Sequence, residues 1–309
     1  VKSILGEQDL PVDGKIEILE CLYLDVGGIA GIGCEVSNCT SNIEIYVENT
    51  RSDSIYNTGS TNCGGIICHG NATNCINYGD ITAVAFNYLC VGGISGTGGN
   101  YINYCANYGN INGKVAYGGV SMSQSYNCCI GGIIGDDGWS IENCVNFGNV
   151  TGNSAEGSSH AGGISGGMGY GRSSQIHYCY NMAESINSRV EQREDGWNAQ
   201  PVRIGYVEYE LIECYSLDTT ILNGQVSTDY NSSDDINGAS MDYETLSKLV
   251  YDRLGFESPN TSISERTLGK SRTIEGELEN VTYTSMKDAA DTSRRPSGLR
   301  KTKFVFNSL

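Results

Sequence analysis

Two short segments recur along the chain, and their spacing leaves few architectures open. The first is a glycine pair followed by an aliphatic residue: GGIAG (27–31), GGIIC (64–68), GGISG (92–96), GGIIG (131–135) and GGISG (162–166). The second centres on cysteine: TNCINYGDITA (73–83), NYCANYGNING (103–113) and ENCVNFGNVTG (142–152). The repeating cysteines are Cys39, Cys75, Cys105, Cys144, Cys179 and Cys214, at successive steps of 36, 30, 39, 35 and 35 residues. The outermost copies are degenerate: NCTSNIEI lacks the glycine and ECYSLDTTI lacks the asparagine. Self-similarity at a period of about 20–50 residues marks units that stack in a row, because no single unit can bury its apolar face alone.

The units read as strands. Apolar spacing of 3.6 residues is missing, and glycine punctuates every segment, which helix interiors tolerate poorly. Short alternation takes its place: Cys144, Asn146, Gly148 and Val150 point one way, and Val145, Phe147 and Asn149 the other. The expected fold is all-β, a parallel β-helix or β-solenoid, with the variable inserts 114–128 and 151–161 as loops on one side. In such a stack, equivalent residues lie about 4.8 Å apart. A tight coil wants small apolar side chains inside, which suits a cysteine column. Asn77, Asn107, Asn146 and Asn181 face the same way, and their amides can donate and accept, so stacked copies can satisfy one another. The glycine that follows each asparagine is expected to supply a positive-φ turn.

The recurring Gly-Gly-aliphatic-x-Gly segment, followed by Asn-Cys-x-Asn-x-Gly-x-aliphatic, resembles the GLUG repeat family over residues 27–224. The resemblance implies a β-solenoid of the kind found in secreted or surface proteins of bacteria, sometimes beside other modules in immunoglobulin-cleaving metalloproteases. It implies no catalytic residues, and this chain has no HExxH motif.

Four regions follow: residues 1–26 as a lead-in strand or cap, 27–224 as the repeat solenoid, 225–256 as a linker and capping helix, and 257–309 as a partly mobile extension. The helix is carried by Leu246, Leu249, Val250 and Leu254, with Ser240 as its N-cap and Gly255 as its stop. Its apolar face is expected to cover the last coil near Cys214–Leu222, where an open stack would otherwise invite edge pairing. From Glu257 onward the balance turns basic, with nine Lys/Arg against seven Asp/Glu.

Charge narrows the function. A net charge of −17 argues against phosphate-directed nucleic-acid binding. No apolar run is long enough to span a membrane. From Ser54 to Ala183 there are only five acids (Asp80, Asp136, Asp137, Glu142, Glu156) and two bases (Lys114, Arg172). Of these, only Asp136 and Asp137 adjoin, in GDDGW, which reads as a solvated turn. No catalytic residue, metal site or cofactor is expected. The one adjacent cysteine pair is Cys128–Cys129, no CxxC occurs, and there are three histidines. Thirteen cysteines cannot all pair, and in-register neighbours lie outside the Cβ separation of about 3.5–4.5 Å that a disulfide needs. A free-thiol ladder is therefore expected, with Cys34, Cys63, Cys68, Cys90, Cys128 and Cys129 as the better disulfide candidates.

Binding remains. Tyr78, Tyr108, Trp139, Phe147 and Tyr170 are candidate contact residues, and Tyr101, Tyr104, Tyr117, Tyr126, Tyr178 and Tyr180 join the same outward set. Aromatic faces with polar tips suit sugars and protein surfaces. The expectation is a non-catalytic, extracellular or cell-surface module of adhesion type, with a host or microbial glycan or surface protein as partner. The alternatives are a structural spacer presenting other domains of a longer polypeptide and, with less support, a carbohydrate-active enzyme.

Overall fold

One coil displays the architecture. Strand Cys128–Gly131 reverses through Gly132 and Ile133 into strand Ile134–Asp136, and strand Ser140–Glu142 follows. A corner at Asn143 leads to the two-residue strand Val145–Asn146, and beyond Gly148 the coil closes with Val150–Ser154. Each strand pairs in parallel with its counterparts in the coils before and after. Cys129 lies between Cys90 and His160, and Ile141 between Ile102 and Ile176. Asn146 lies between Asn107 and Asn181, and Val150 between Ile111 and Ile186. The chain is thus a parallel β-solenoid, seen in a computed structural model. Its described residues are 11–19, 24–49, 60–98, 101–116, 128–136, 138–155, 157–167, 175–191, 199–205, 210–226, 230 and 232–259. Tyr170, most of the insert 114–128 and residues 260–309 lie outside this set.

Among the described residues the strands form sheets of 14, 8 and 6. Pairing begins ahead of the first glycine pair: Pro11–Leu19 runs parallel to Thr40–Glu48, and Leu24–Gly27 to Thr61–Gly64. The interior divides into two apolar clusters. One gathers Ile45, Ile81, Ile111, Val150 and Ile186 against Leu89, Val91, Ile130 and Ala161. The other gathers Ile66, Ile94, Ile133, Ile164 and Ile204, the aliphatic residues of the glycine-pair segments, around Cys75, Cys105, Cys144, Cys179 and Cys214. In each coil the ladder asparagine falls in sequence between the cysteine of one cluster and the aliphatic residue of the other.

The turn chemistry differs from the sequence expectation. Positive φ belongs to the residue before each cysteine: Asn38, Asn74, Tyr104, Asn143, Tyr178 and Glu213, with φ between 49° and 54°. Asparagine tolerates this region because its short side chain bonds locally; tyrosine and glutamate are held there by the register of the stack. The glycine after the asparagine serves close approach instead. A Cβ on Gly109 would stand 2.0 Å from the carbonyl oxygen of Gly79, and one on Gly148 1.9 Å from that of Gly109. In the first coil Ile43 holds this place, and strand Thr40–Asn49 runs through unbroken.

The helix also departs from expectation. It spans Tyr243–Leu254. Asp242, not Ser240, is its N-cap, its carboxylate accepting from the Thr245 N–H at 2.9 Å. Ser240 instead belongs to strand Ala239–Met241, which pairs with Tyr215–Leu217 and adds a last rung. Gly255 closes the helix in the left-handed conformation. Leu246 and Val250 are fully buried, packed with Ala106, Val145, Phe147, Tyr180, Met182 and Leu217. The helix packs on strand Tyr215–Leu217, within the Cys214–Leu222 stretch expected from the sequence, and the apolar cluster continues from there along the outer face of earlier coils. The reason is the apolar stripe that in-register repetition builds on the outer face of the short strands.

Burying valine contributes about 1.5–3 kcal/mol, and a carboxylate there adds a desolvation cost. Val250→Asp should therefore release the helix while the coils persist. Helical circular dichroism should fall and a hydrophobic dye should bind the uncovered row. An unchanged dye signal would show that Val250 does not anchor the helix.

Candidate functional site

The asparagine column is fully buried and continuously hydrogen-bonded. The Nδ2 of Asn77 donates to the Oδ1 of Asn107 at 2.9 Å, Asn107 to Asn146 at 2.9 Å, and Asn146 to Asn181 at 3.3 Å. Asn181 passes the chain to the hydroxyl of Ser216 at 3.0 Å. Each of the first three amides also donates to the carbonyl of its own turn glycine at 2.8 Å. A polar row within an apolar interior is tolerable because its donors find partners.

At the end of the row stands Arg203, which the sequence reading passed over. It occupies the second glycine place of a degenerate segment, Val202-Arg203-Ile204. Its guanidinium is buried and donates to the Ser216 carbonyl at 2.9 Å and the Ser240 hydroxyl at 2.8 Å, with the Tyr230 ring 4.9 Å away. Burial pulls its pKa down to about 10.

The thiol column runs beside the amides. Cys75, Cys105, Cys144, Cys179 and Cys214 are wholly buried, and each donates to the carbonyl two residues before it at 3.1–3.5 Å. Burial pushes the Cys214 thiol up to about 12 and holds those of Cys105 and Cys144 well above their ordinary value. These are structural, unreactive thiols. Cys39, at the open end of the column, is only half-buried. Every cysteine whose side chain is described carries a free thiol, including the off-ladder disulfide candidates Cys63, Cys68, Cys90, Cys128 and Cys129.

The candidate contact residues divide. Tyr78, Tyr108 and Phe147 form one stack, with ring centroids 4.7 and 4.5 Å apart. The helix takes one end of this row, so Phe147 is buried and Tyr108 half-buried, its hydroxyl donating to the Glu257 carbonyl at 2.8 Å. Tyr180 is completely buried in the same cluster. Phe147 and Tyr180 thus pack in the cluster with the protein's own helix and Tyr108 bonds to the segment after it, while in that row Tyr78 is 39% exposed.

A second group remains open. Tyr101 is 59% exposed, and Tyr104 and Trp139 each 43%. Tyr101 pairs in register with Ser140, which places Trp139 one residue away on the neighbouring strand. Tyr104 stands at the corner three residues on from Tyr101. Around them Asn71, Asn103, Asn143 and Gln175 line the same strands and corners, with Glu35, Glu142 and Glu210 in register beside Asn71, Asn103 and Gln175, so the surface is aromatic and polar with an acidic component.

Asp136, expected in a solvated turn, is buried. It accepts a hydrogen bond from the Tyr88 hydroxyl at 2.8 Å and lies 4.0 Å from the Cys90 sulfur. The tight reversal at Gly131–Gly132 turns the strand end back over Cys129 and draws this carboxylate inward. Asp137 lies outside the described residues.

Among the described residues no helix is long and apolar enough to cross a membrane. No protein-family model matches the chain, and no curated protein does. The fold is similar to that in the crystal structure of a putative immunoglobulin A1 protease from Bacteroides ovatus, with a TM-score of 0.53 and 17% sequence identity over 76% of this chain and 70% of that one. At that identity the likeness is one of fold alone.

Proposed function

We propose that this solenoid is a non-catalytic, extracellular binding module of the GLUG type, recognising a glycan or a surface protein through the face around Tyr101, Tyr104 and Trp139. The observation that carries the reading is the exposure of three aromatic side chains in or beside adjoining strands, Tyr101 within one, Tyr104 at the corner after it and Trp139 just before the next, in a chain that covers comparable aromatics with its own helix. Sugar recognition needs flat apolar faces with polar groups beside them, and this surface offers both. The low charge count from Ser54 to Ala183 fits recognition mainly by stacking and hydrogen bonding, with Glu142 and Glu210 beside the aromatic group as acceptors. The repeat resemblance and the solenoid fold both accord with a surface-displayed array.

A glycan microarray, followed by calorimetry on the strongest ligands, tests this. Binding should be lost in Tyr101→Ala/Trp139→Ala, with at most a small shift of the urea midpoint, because both side chains are exposed, at 59% and 43%. Ligands that bind the double variant as tightly as the parent would place recognition elsewhere, and a blank array together with no retained surface protein would favour the spacer reading.

A further inference from the structure

Two thiols and a carboxylate that are scattered in sequence meet inside the stack. Cys90 and Cys129 are in-register partners on neighbouring coils, and Asp136 reaches them across the Gly131–Gly132 reversal. Their donor atoms all lie within 4.8 Å of one another, and all three residues are buried. We propose that Cys90, Cys129 and Asp136 form a binding site for one divalent zinc-type cation.

Geometry and chemistry both support the assignment. Zinc–sulfur bonds of about 2.3 Å and zinc–oxygen bonds of about 2.0–2.2 Å, in a tetrahedron, place ligand atoms about 3.5–3.8 Å apart. Donors already within 4.8 Å of one another need to close by at most about 1.3 Å to reach that spacing. The Tyr88 hydroxyl, bonded to the Asp136 carboxylate at 2.8 Å, fixes its orientation as outer partners of metal ligands do. Gly167 keeps the adjoining space clear: a Cβ there would stand 2.5 Å from the Asp136 carboxylate oxygen and 3.0 Å from the Cys129 sulfur. A mixed thiolate–carboxylate set selects zinc or cobalt over calcium and magnesium, which prefer all-oxygen shells. Binding releases the two thiol protons to solvent, and two thiolates and one carboxylate around the divalent cation leave a net charge of −1. His160 occupies the next rung beside Cys129 but is not part of the donor cluster. Sequence spacing conceals such a site, because its ligands come from two coils and both sides of a reversal and not from one CxxC knuckle.

The test uses the full chain, purified under reducing conditions, loaded with cobalt or zinc and desalted. Elemental analysis should find one metal per chain, and the cobalt form should show thiolate-to-metal charge-transfer absorption. Cys129→Ser and the isosteric Asp136→Asn should abolish the stoichiometric metal, and Tyr88→Phe should weaken binding by about 10–100-fold. Cys39→Ser, away from the cluster, should bind as the parent does. If Cys129→Ser fails to fold, Asp136→Asn decides alone. Three outcomes overturn the proposal: no stoichiometric metal in the parent, equal metal in Asp136→Asn, or a Cys90–Cys129 disulfide that persists in the protein after purification with reductant.

Discussion

Asn107→Asp should be among the most damaging isosteric substitutions in the chain. The change keeps the shape and removes two donated hydrogen bonds, to the Gly109 carbonyl at 2.8 Å and the Asn146 Oδ1 at 2.9 Å. A carboxylate oxygen would then face two acceptors in a fully buried column. Each stranded acceptor costs about 1–3 kcal/mol, so the pair costs about 2–6 kcal/mol, before the charge itself is counted. Against a typical stability of about 5–15 kcal/mol, that is a large fraction. Burial raises the folded pKa of the new carboxyl above its unfolded value of about 3.9. Its neutral form is thus the one the fold tolerates, and the deficit relative to the parent should widen as pH rises above about 4. Urea melts at pH 4 and pH 7 measure both effects. A midpoint equal to the parent's, or a deficit that does not grow with pH, would mean that the amide ladder is not what holds these coils in register.

Gly93→Ala should be comparably severe for a steric reason. The added Cβ would stand 2.2 Å from the Gly132 carbonyl oxygen and 2.3 Å from the Asn107 Cγ. Neither can retreat: the carbonyl belongs to the next coil's reversal, and the asparagine is tied into the ladder. Overpacked cores typically lose about 1–3 kcal/mol, and a backbone obstacle puts this site at or beyond the upper end, about 3 kcal/mol or more. Gly31→Ala is the matched control, since a Cβ there meets nothing within 4 Å, and it should shift stability by no more than about 0.5 kcal/mol. Soluble yield and urea midpoint report the difference. Equal behaviour of the two variants would contradict the contact between the glycine pairs and the amide column.

That contact shows how the two recurring segments depend on each other. The second glycine of each pair packs on the asparagine of the cysteine segment: Gly65 on Asn77, Gly93 on Asn107, Gly132 on Asn146 and Gly163 on Asn181. A side chain at one would displace the other, which accounts for the two motifs recurring together. Where the glycine becomes Arg203, the asparagine becomes Ser216, and the arginine side chain takes the end of the ladder.

What the sequence by itself determined is the solenoid and which side chains turn inward. Strand alternation has a period of two, and in-register stacking carries one coil's pattern into every coil, so Cys105 or Asn146 can be placed from local spacing alone. What only the tertiary structure decided are the features set by contacts between coils or across a reversal. Positive φ fell on Asn143 and its equivalents, because the glycine after the asparagine was needed where the neighbouring coil's carbonyl comes close. Phe147 and Tyr180, outward by alternation, became buried because the helix Tyr243–Leu254 lay down along their row. Asp136 became a buried partner of Tyr88 and Cys90 because the chain folds back on itself at Gly131–Gly132. Alternation specifies the side of a strand a residue occupies; what meets it there depends on packing between segments distant in sequence.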